Sequence, residues 1–307
     1  MERSIILSSG RCGSTLLSDL LAEDPGLLSV QEFFVSLPPS SLIDDTPLTG
    51  AEYWDLLSSP APQFQALGRI GLRPKEFIYQ STGRWKAGSV PCIVGITLPK
   101  VSTDPDALYD RLAEPVQAFP RQSPTAHHQQ FLDTLAEVMG RAGWVERSGG
   151  SSAQAWYLLN SFPDMKVIYL TRGRRDTAES MRKHPSFQLA QLRLGAINAF
   201  GVDPYALRPG QQVPAGVEPL LPDRLTSELL RRHADDVRPY LNLCAFMDGV
   251  AEQAFADYPP RQLLRVTYES ILADPAGRLT TIGDFLGLAR PRYWAESVAH
   301  RVRRPDG

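Results

Sequence analysis

The sequence predicts an α/β fold in which a mostly parallel sheet is flanked by helices, and two observations support that prediction. Short apolar runs alternate with amphipathic stretches, as where SIILS (4–8) and MKVIYLTR (165–172) are each followed by a helical pattern. Strands that alternate with helices form parallel sheets, because each helix crosses back over the sheet. With 307 residues, 43% of them hydrophobic and 21% charged, the chain is long enough for one domain of this kind, spanning 1–307.

The predicted elements follow in order along the chain. The first strand leads into a helix with a leucine stripe, which Pro25-Gly26 ends. Prolines and glycines then predict an irregular, substrate-shaping insertion at about 36–128, with one strand candidate, CIVGITL (92–98). The remaining predicted elements are a helix at 129–143, a strand at 144–148, a helix at 152–162, a strand at 165–172, a helix at 175–184, a strand at 263–270 and a helix at 275–288.

Two stretches in the second half complete this outline. A polar, proline-rich segment at about 201–222 predicts a mobile loop. The apolar positions from Leu230 to Phe255 recur on one side of a helix, which predicts one long helix with a kink at Pro239.

Charge and cysteine content narrow the class of protein. A net charge of −2 gives no reason to expect nucleic acid or an anionic membrane surface as partner. Three widely spaced cysteines argue against a disulfide framework or a cysteine zinc site and favour a reducing compartment. The apolar stretch at 5–7 is too short for a signal peptide or a membrane span. We therefore expect a cytoplasmic enzyme without stable membrane insertion; a homodimer is an open alternative to a monomer.

The loop GRCGST (10–15) follows the first strand and leads into a helix that is predicted to begin near Ser14, a layout that suits an oxyanion. Glycines let the backbone approach a ligand, Ser14 and Thr15 add hydroxyl donors, and the guanidinium of Arg11 binds oxyanions through two parallel hydrogen bonds. No lysine follows Gly13, although the nucleotide-triphosphate version of this loop requires one there. The alternative is a turn whose Ser and Thr only cap the helix.

A second strand, turn and helix stands in the middle of the chain. Arg172 is placed at the carboxyl end of its strand, where ligands bind in open α/β sheets, and Ser180 follows about two helical turns later. Such a pair is suited to one phosphate. The charges at 174–176 are interpreted as solvent-facing. Two anion sites on one sheet indicate a ligand with two separated anionic groups.

Together these segments resemble the sulfotransferases that use 3′-phosphoadenosine 5′-phosphosulfate (PAPS). RCGSTLL resembles that family's 5′-phosphosulfate loop, and FPDMKVIYLTRGRRDTAESM (162–181) resembles its 3′-phosphate segment. WVERS (144–148) resembles a strand of bacterial members, and residues 265–288 resemble their closing segment. The resemblance implies a P-loop-type three-layer fold. It also implies that the donor is bound by Arg11, Cys12, Gly13, Ser14, Thr15, Arg172 and Ser180.

Residues 13–39 resemble the corresponding stretch of bacterial trehalose 2-sulfotransferases, in which the Glu of Q-E-F-F serves as base. That resemblance, together with its place shortly after the first helix, assigns the role of general base to Glu32. By their positions in the predicted elements, His184 is the second candidate and Glu146 the third. The resemblance implies in-line transfer of a sulfuryl group from PAPS to a hydroxyl of a sugar, glycolipid or secondary metabolite. Arg11 and the loop amides would stabilise charge on the leaving phosphate. No metal is needed in this scheme, and no metal-ligand spacing is evident.

The chain departs from the family pattern in several places. Cys12 replaces the usual loop serine, at a helix start, where the pKa of a thiol is expected to fall. Arg147 occupies the family's basic position after the middle strand, where it would touch the sulfuryl group. We expect His127 and His128 to be exposed. The arginines at 301, 303 and 304 would form either a basic latch on the 3′-phosphate or a solvated tail.

Two other classes of function remain open at this point. A P-loop kinase would use ATP and magnesium, but the chain lacks the lysine after Gly13 and a clear strand ending in a magnesium-holding aspartate. A non-catalytic nucleotide-binding relative would keep the fold and lack the base.

Overall fold

The computed structural model describes residues 1–42, 45–80, 83–86, 88–208 and 210–302. Within these ranges the strands form one sheet, in which every neighbouring pair is parallel and the order is β2-β3-β1-β4-β5. The strands are β1 (Glu2–Ser8), β2 (Leu27–Gln31), β3 (Gly143–Arg147), β4 (Lys166–Thr171) and β5 (Leu263–Thr267). The predicted α/β fold with a mostly parallel sheet is confirmed.

Helices fill most of the chain between the strands. Those of the described residues are α1 (Ser14–Leu21), α2 (Phe33–Ser36), α3 (Gly50–Ser58), α4 (Pro62–Arg69), α5 (Cys92–Gly95), α6 (Thr97–Val101), α7 (Pro105–Gln117), α8 (Pro124–Val138), α9 (Ala155–Ser161), α10 (Arg174–Met181), α11 (Pro185–Phe200), α12 (Ser227–Arg231), α13 (Arg238–Ala254), α14 (Tyr268–Ala273), α15 (Pro275–Leu286) and α16 (Pro291–Val298).

Several helices begin at residues whose side chains satisfy the first free N–H groups. Asp104 and Asp274 each accept a hydrogen bond from the backbone three residues later, and each is followed by a proline at the first helical position. Thr49 and Glu52 form a reciprocal capping box at the start of α3. Local sequence therefore fixes where these helices start.

The chain packs as two compact units, of which the first contains the whole sheet. It comprises Met1–Phe34, His128–Gly173 and the described chain from Phe246 onward. One face of the sheet packs on α1, α15 and α16. The buried strand residues on this face include Ile6, Val145, Ile168, Leu170 and Val266. Burying such aliphatic side chains is the main source of folding free energy in this unit.

The opposite face of the sheet is covered by other helices, so the unit has three layers. Asp133 on α8 accepts hydrogen bonds from Arg3 on β1, at 2.7 and 3.0 Å, and from the Trp144 indole on β3, at 2.8 Å. The ring of Tyr169 on β4 lies 5.0 Å from that of Phe255, centroid to centroid. Helices on both faces are what a parallel sheet requires.

Strand β2 was not predicted from the sequence. Its five residues, LLSVQ, are all buried, and the strand pairs with β3 from Leu27 to Gln31. It follows the Pro25-Gly26 break directly. A short run that is buried on both faces has neither the alternation of a half-exposed strand nor the stripe of a helix, so its periodicity gives no signal.

The second unit comprises the described parts of Val35–His127 and Arg174–Ala245. The stretch 36–128, expected to be irregular, contains α3 to α7. The strand predicted at 92–98 is wrong, since these residues belong to α5 and α6 and are buried throughout. A fully buried apolar run has the same pattern in a helix as in a strand. The prediction of a strand rested on the apolar composition alone.

The long kinked helix predicted beyond residue 226 is also wrong. The structure has two helices there, α12 and α13, and Pro239 is the second residue of α13. A proline lacks the N–H that a helix interior needs, whereas the first turn has no acceptor for that N–H. The proline therefore starts a helix instead of bending one. Within the described residues, no helix is both long and apolar enough to cross a membrane.

Candidate active site

The loop between β1 and α1 turns sharply at three residues. Gly10, Arg11 and Gly13 all have positive φ, at 81°, 55° and 89°, and α1 begins at Ser14 as predicted. The first N–H groups of a helix have no acceptor inside it, and they form its positive end. Arg11 is half-buried beside this helix terminus. The loop therefore joins a guanidinium to a helix N-terminus, which is a suitable donor set for an oxyanion.

Cys12 lies in the same loop, between Arg11 and Gly13. Its side chain is completely buried, and the thiol donates to the carbonyl oxygen of Leu170, at 3.4 Å. Burial raises the pKa of the Cys12 thiol, while contacts with Ser8 and Ser14 lower it by less. The expectation of a lowered thiol pKa is thus wrong, because desolvation exceeds the effect of the helix terminus.

Arg172 and Gly173 form the turn after β4, the neighbour of β1 in the sheet. After β1 the chain continues to β2, on one side of the sheet, and after β4 it continues to β5, on the other side. The neighbouring strands β1 and β4 therefore flank the point where the connections change direction. Open parallel sheets bind ligands at such a switch point. The guanidinium carbon of Arg172 lies 5.4 Å from the ring centroid of Tyr268. The N–H of Gly173 donates to Glu269 Oε1, at 2.9 Å.

Glu32 follows β2 and has a left-handed backbone, with φ at 60°. Its N–H donates to the carbonyl oxygen of Arg147, at 2.8 Å, and the N–H of Gly149 donates to its Oε2, at 3.0 Å. The Arg147 guanidinium donates to its Oε1. Among the described residues, Glu32 and Arg11 are the non-glycine residues with positive φ. Such backbone strain often accompanies function.

The Glu32 carboxylate belongs to a buried polar network that sequence reasoning missed. Arg147 is 2% exposed and donates through Nη2 to Gln31 Oε1, at 2.8 Å. The Gln31 amide nitrogen in turn donates to Asp19 Oδ1 on α1, at 2.7 Å. Arg147, expected to reach a sulfuryl group, is here the partner of Glu32 and Gln31. The only sequence signal for this network is that Gln31 and Glu32 are adjacent.

Glu146, the third candidate base, lies behind this turn and is fully buried. Its Oε1 accepts hydrogen bonds from the N–H of Phe33, at 3.1 Å, and from the Ser148 hydroxyl, at 2.6 Å. Its Oε2 has no hydrogen-bond partner among the described residues. The pKa of Glu146 is raised to about 8, mainly by burial. The hydrogen bond from Ser148 opposes this rise, and the nearby charge of Glu32 adds to it. Glu146 is consequently suited to keeping its proton. It also fixes the backbone after Glu32 through the hydrogen bond from Phe33.

Four of the residues predicted for the site lie at the edge of the sheet where the strands have their carboxyl ends. Arg11, Glu32 and Arg172 each follow the carboxyl end of a strand, and Arg147 is the last residue of β3. The register supports this, since Gln31 and Ile6 both pair with Arg147. All four belong to the first unit.

Ser180 and His184 belong to the second unit, Ser180 on α10 and His184 before α11. His184 was expected in the last turn of the helix that carries Ser180, but that helix ends at Met181 and His184 precedes the next one. The imidazole Nε2 of His184 lies 3.0 Å from Glu76 Oε2. Pro185 explains the break, because the residue before a proline disfavours helical geometry.

The histidines expected to be exposed, His127 and His128, are both completely buried. The His127 ring stacks on Tyr53, 4.6 Å away, and its nitrogens contact Leu48 and Gln122. Burial lowers the pKa of His127. The correction follows from α8, which the sequence placed from residue 129 and which begins at Pro124. Both histidines therefore lie on a packed helix.

Arg301 forms an ion pair with Glu23, at 2.5 Å, whereas the arginines at 303 and 304 lie outside the described residues. Within the described ranges, no group of three His, Cys, Asp or Glu side chains is arranged to hold a metal ion.

Comparison with known proteins finds similarity at the level of structure. No model of a known protein family matches the sequence, and no curated protein matches it. A sulfotransferase domain from the curacin biosynthetic pathway is 17% identical, with 100% of this chain and 79% of that one covered and a TM-score of 0.47. Sulfotransferase STF9 from Mycobacterium avium is 15% identical, covering 99% and 69%, with a TM-score of 0.49. A sulfotransferase domain from the Synechococcus PCC 7002 olefin synthase is 19% identical, covering 100% and 78%, with a TM-score of 0.43. These values assign the chain neither a family nor an activity.

Proposed function

We propose that this chain transfers a sulfuryl group from PAPS to a hydroxyl group of a small-molecule acceptor. One observation carries the proposal: two arginine-bearing turns and a buried carboxylate follow the carboxyl ends of strands in one parallel sheet. These are Arg11 after β1, Arg172 after β4 and Glu32 after β2. The sequence resemblance of the same segments to PAPS-dependent sulfotransferases supports this assignment.

The chemistry of the donor set fits PAPS, which carries anionic groups at its 5′ and 3′ positions. Arg11, the helix N-terminus and the hydroxyls of Ser14 and Thr15 would bind the 5′-phosphosulfate. Arg172 would bind the 3′-phosphate. When bound, PAPS supplies the sulfuryl group that is transferred. Arg11 and the loop amides hold the leaving phosphate and stabilise the negative charge that develops on it.

Glu32 is proposed to take the proton from the acceptor hydroxyl. Arg147 and the Gly149 N–H hold both of its oxygens, so the carboxylate has one fixed orientation. A general base needs its oxygen within hydrogen-bond reach of the proton that it removes, and a fixed orientation makes that reach reproducible. His184 is the second candidate, with Glu76 as a partner for one ring nitrogen.

The acceptor is proposed to be a sugar, a glycolipid or a secondary metabolite. The match of QEFF (31–34) to trehalose 2-sulfotransferases makes trehalose the first acceptor to test. None of the three cysteines, all of which the structure describes, forms a disulfide bond, which suits a cytoplasmic enzyme.

The test is a transfer assay with purified protein and sulfur-labelled PAPS. Trehalose, glucose, a glycolipid extract and simple phenols are offered as acceptors, and labelled products are separated by chromatography. A parallel reaction contains phosphate-labelled ATP and magnesium. Labelled sulfate on an acceptor supports the proposal, and labelled phosphate on an acceptor instead would identify a kinase.

A further inference from the structure

The ring of Tyr268 contacts both of the turns that carry the arginines. Tyr268 is the first residue of α14, directly after β5, and it is 6% exposed. A Cβ atom added to Gly13 would overlap this ring, so the ring packs directly on the first turn. The same ring lies under the Arg172 guanidinium, with 5.4 Å between the guanidinium carbon and the ring centroid. All these residues belong to the first unit.

The residue after Tyr268 holds the same turn through its backbone. Glu269 Oε1 accepts a hydrogen bond from the N–H of Gly173, at 2.9 Å. Strand pairing aligns the two segments, since Thr171 on β4 pairs with Thr267 on β5. The start of α14 therefore fixes both the backbone of the second turn and the side chain of its arginine.

Contact with an aromatic face restricts an arginine without using its hydrogen-bond donors. A guanidinium near the face of a ring is attracted to its π-system, and this attraction takes up none of its N–H groups. A long side chain that is free in solution loses more rotamer entropy on binding than one that is already held. Because the ring also packs on Gly13, it sets where Arg172 sits relative to the first turn.

We propose that Tyr268 is a positioning residue that holds Arg172 against the first turn and gives the site its preference for nucleotides with two phosphate groups. The inference deepens the proposed function and rests on it, since Arg172 is taken to bind the 3′-phosphate. Tyr268 itself acts through its ring and needs no contact with the nucleotide.

The experiment compares two nucleotides that differ only in the 3′-phosphate. The full chain is titrated calorimetrically with 3′-phosphoadenosine 5′-phosphate and with adenosine 5′-monophosphate, and the ratio of the two affinities is the readout. Tyr268→Leu should lower this ratio about tenfold, within the range of a lost cation–π contact. Tyr268→Phe keeps the ring and should keep the ratio. Thermal melts establish that each variant is folded, and Tyr268→Met replaces the leucine variant if that one does not fold.

Two controls separate positioning from a general structural role. Phe255→Leu removes another ring under an arginine of the same unit, Arg265 at 5.0 Å, and should leave the ratio unchanged. In an Arg172→Ala background, Tyr268→Leu should have no further effect on the ratio, because the arginine that it positions is gone.

The outcomes distinguish this inference from the proposed function. If the unchanged protein does not prefer the nucleotide with the 3′-phosphate, both the proposed function and this inference are wrong. If that preference exists and Tyr268→Leu either retains it in full or weakens both nucleotides equally, the inference alone is wrong.

Discussion

Arg147 and Glu32 form an ion pair in which the side chains are only 2% and 9% exposed. The pair joins the end of β3 to the residue after β2, and it is extended by the hydrogen bond from Arg147 to Gln31. Removing charges from water costs several kcal/mol per ion, so a buried pair is stable only with both members and their hydrogen bonds present. The orientation of Glu32 therefore depends on Arg147.

Replacing Glu32 by Gln tests its role as base. Glutamine has nearly the same shape but cannot take a proton, so turnover should fall by about 10²–10⁴-fold while affinity for 3′-phosphoadenosine 5′-phosphate is retained. Turnover is measured with sulfur-labelled PAPS and an acceptor that the unchanged protein accepts. Full turnover of Glu32→Gln would move the role of base to His184.

Glu23→Gln is the matched control for that substitution. Glu23 is also a glutamate of the first unit paired with an arginine, Arg301, but its side chain is 55% exposed. Exposed pairs contribute little, so this variant should keep both turnover and stability.

Replacing Arg147 by Met should destabilise the protein by about 3–5 kcal/mol, because it leaves the buried Glu32 carboxylate without its cation. The double variant Glu32→Gln/Arg147→Met should be less destabilised than the sum of the two single variants, since no charge is then left unpaired. Urea unfolding measures both. Arg301→Met at the exposed pair should cost less than about 1 kcal/mol. Strict additivity of the buried substitutions would contradict the pairing.

The raised pKa of Glu146 predicts how the stability of the protein depends on pH. Its folded pKa of about 8 lies above the ordinary value of 4.5, so the folded protein holds a proton that the unfolded chain releases between these values. The stability that this proton provides is complete below pH 4.5 and is lost as pH rises through about 8. Glu146→Gln keeps the shape and removes the titration. Relative to the unchanged protein, its free energy of unfolding should rise steadily across this window, and a constant difference would contradict the assignment.

Gly13→Ala should abolish nucleotide binding and destabilise the fold. Alanine at φ 89° costs about 1–2 kcal/mol, and its Cβ would also displace the Tyr268 ring. Gly71→Ala is the control, since Gly71 has φ 74° and no atom near its missing Cβ. The excess cost at Gly13, read from thermal or urea unfolding, measures the ring contact. Equal costs at the two glycines would contradict a close contact.

The sequence predicted the strands before the first turn and before Arg172, because β1 and β4 are apolar runs followed by clear turns, and it also predicted β3, which ends at Arg147. It also predicted that α1 begins at Ser14. It missed β2, whose burial on both faces removes any alternation, and so it placed Glu32 only by the resemblance and by its position shortly after the first helix. Backbone strain at Arg11 and Glu32 has no sequence signal, since non-glycine residues rarely adopt positive φ.

The errors share a physical cause, which is burial that local sequence does not reveal. Cys12 was judged by its place at a helix start, but complete desolvation sets its pKa. His127 was judged by its place in the stretch expected to be irregular, but it is stacked between aromatic rings and hydrogen-bonded. Tyr268 lies in the stretch that resembles the family's closing segment, but the sequence assigned it no role, because its importance lies in contacts with residues more than 90 positions earlier in the chain. Tertiary contacts of this kind emerge only once the sheet is assembled.

The most direct test of the account is a calorimetric titration of the purified protein with 3′-phosphoadenosine 5′-phosphate, with ADP and with ATP and magnesium. We predict tight binding of the first alone, because the two arginine-bearing turns match its two phosphate groups and the loop lacks the lysine of triphosphate sites. A preference for ATP with magnesium would contradict the sulfotransferase assignment and identify the first loop as a variant of a kinase loop.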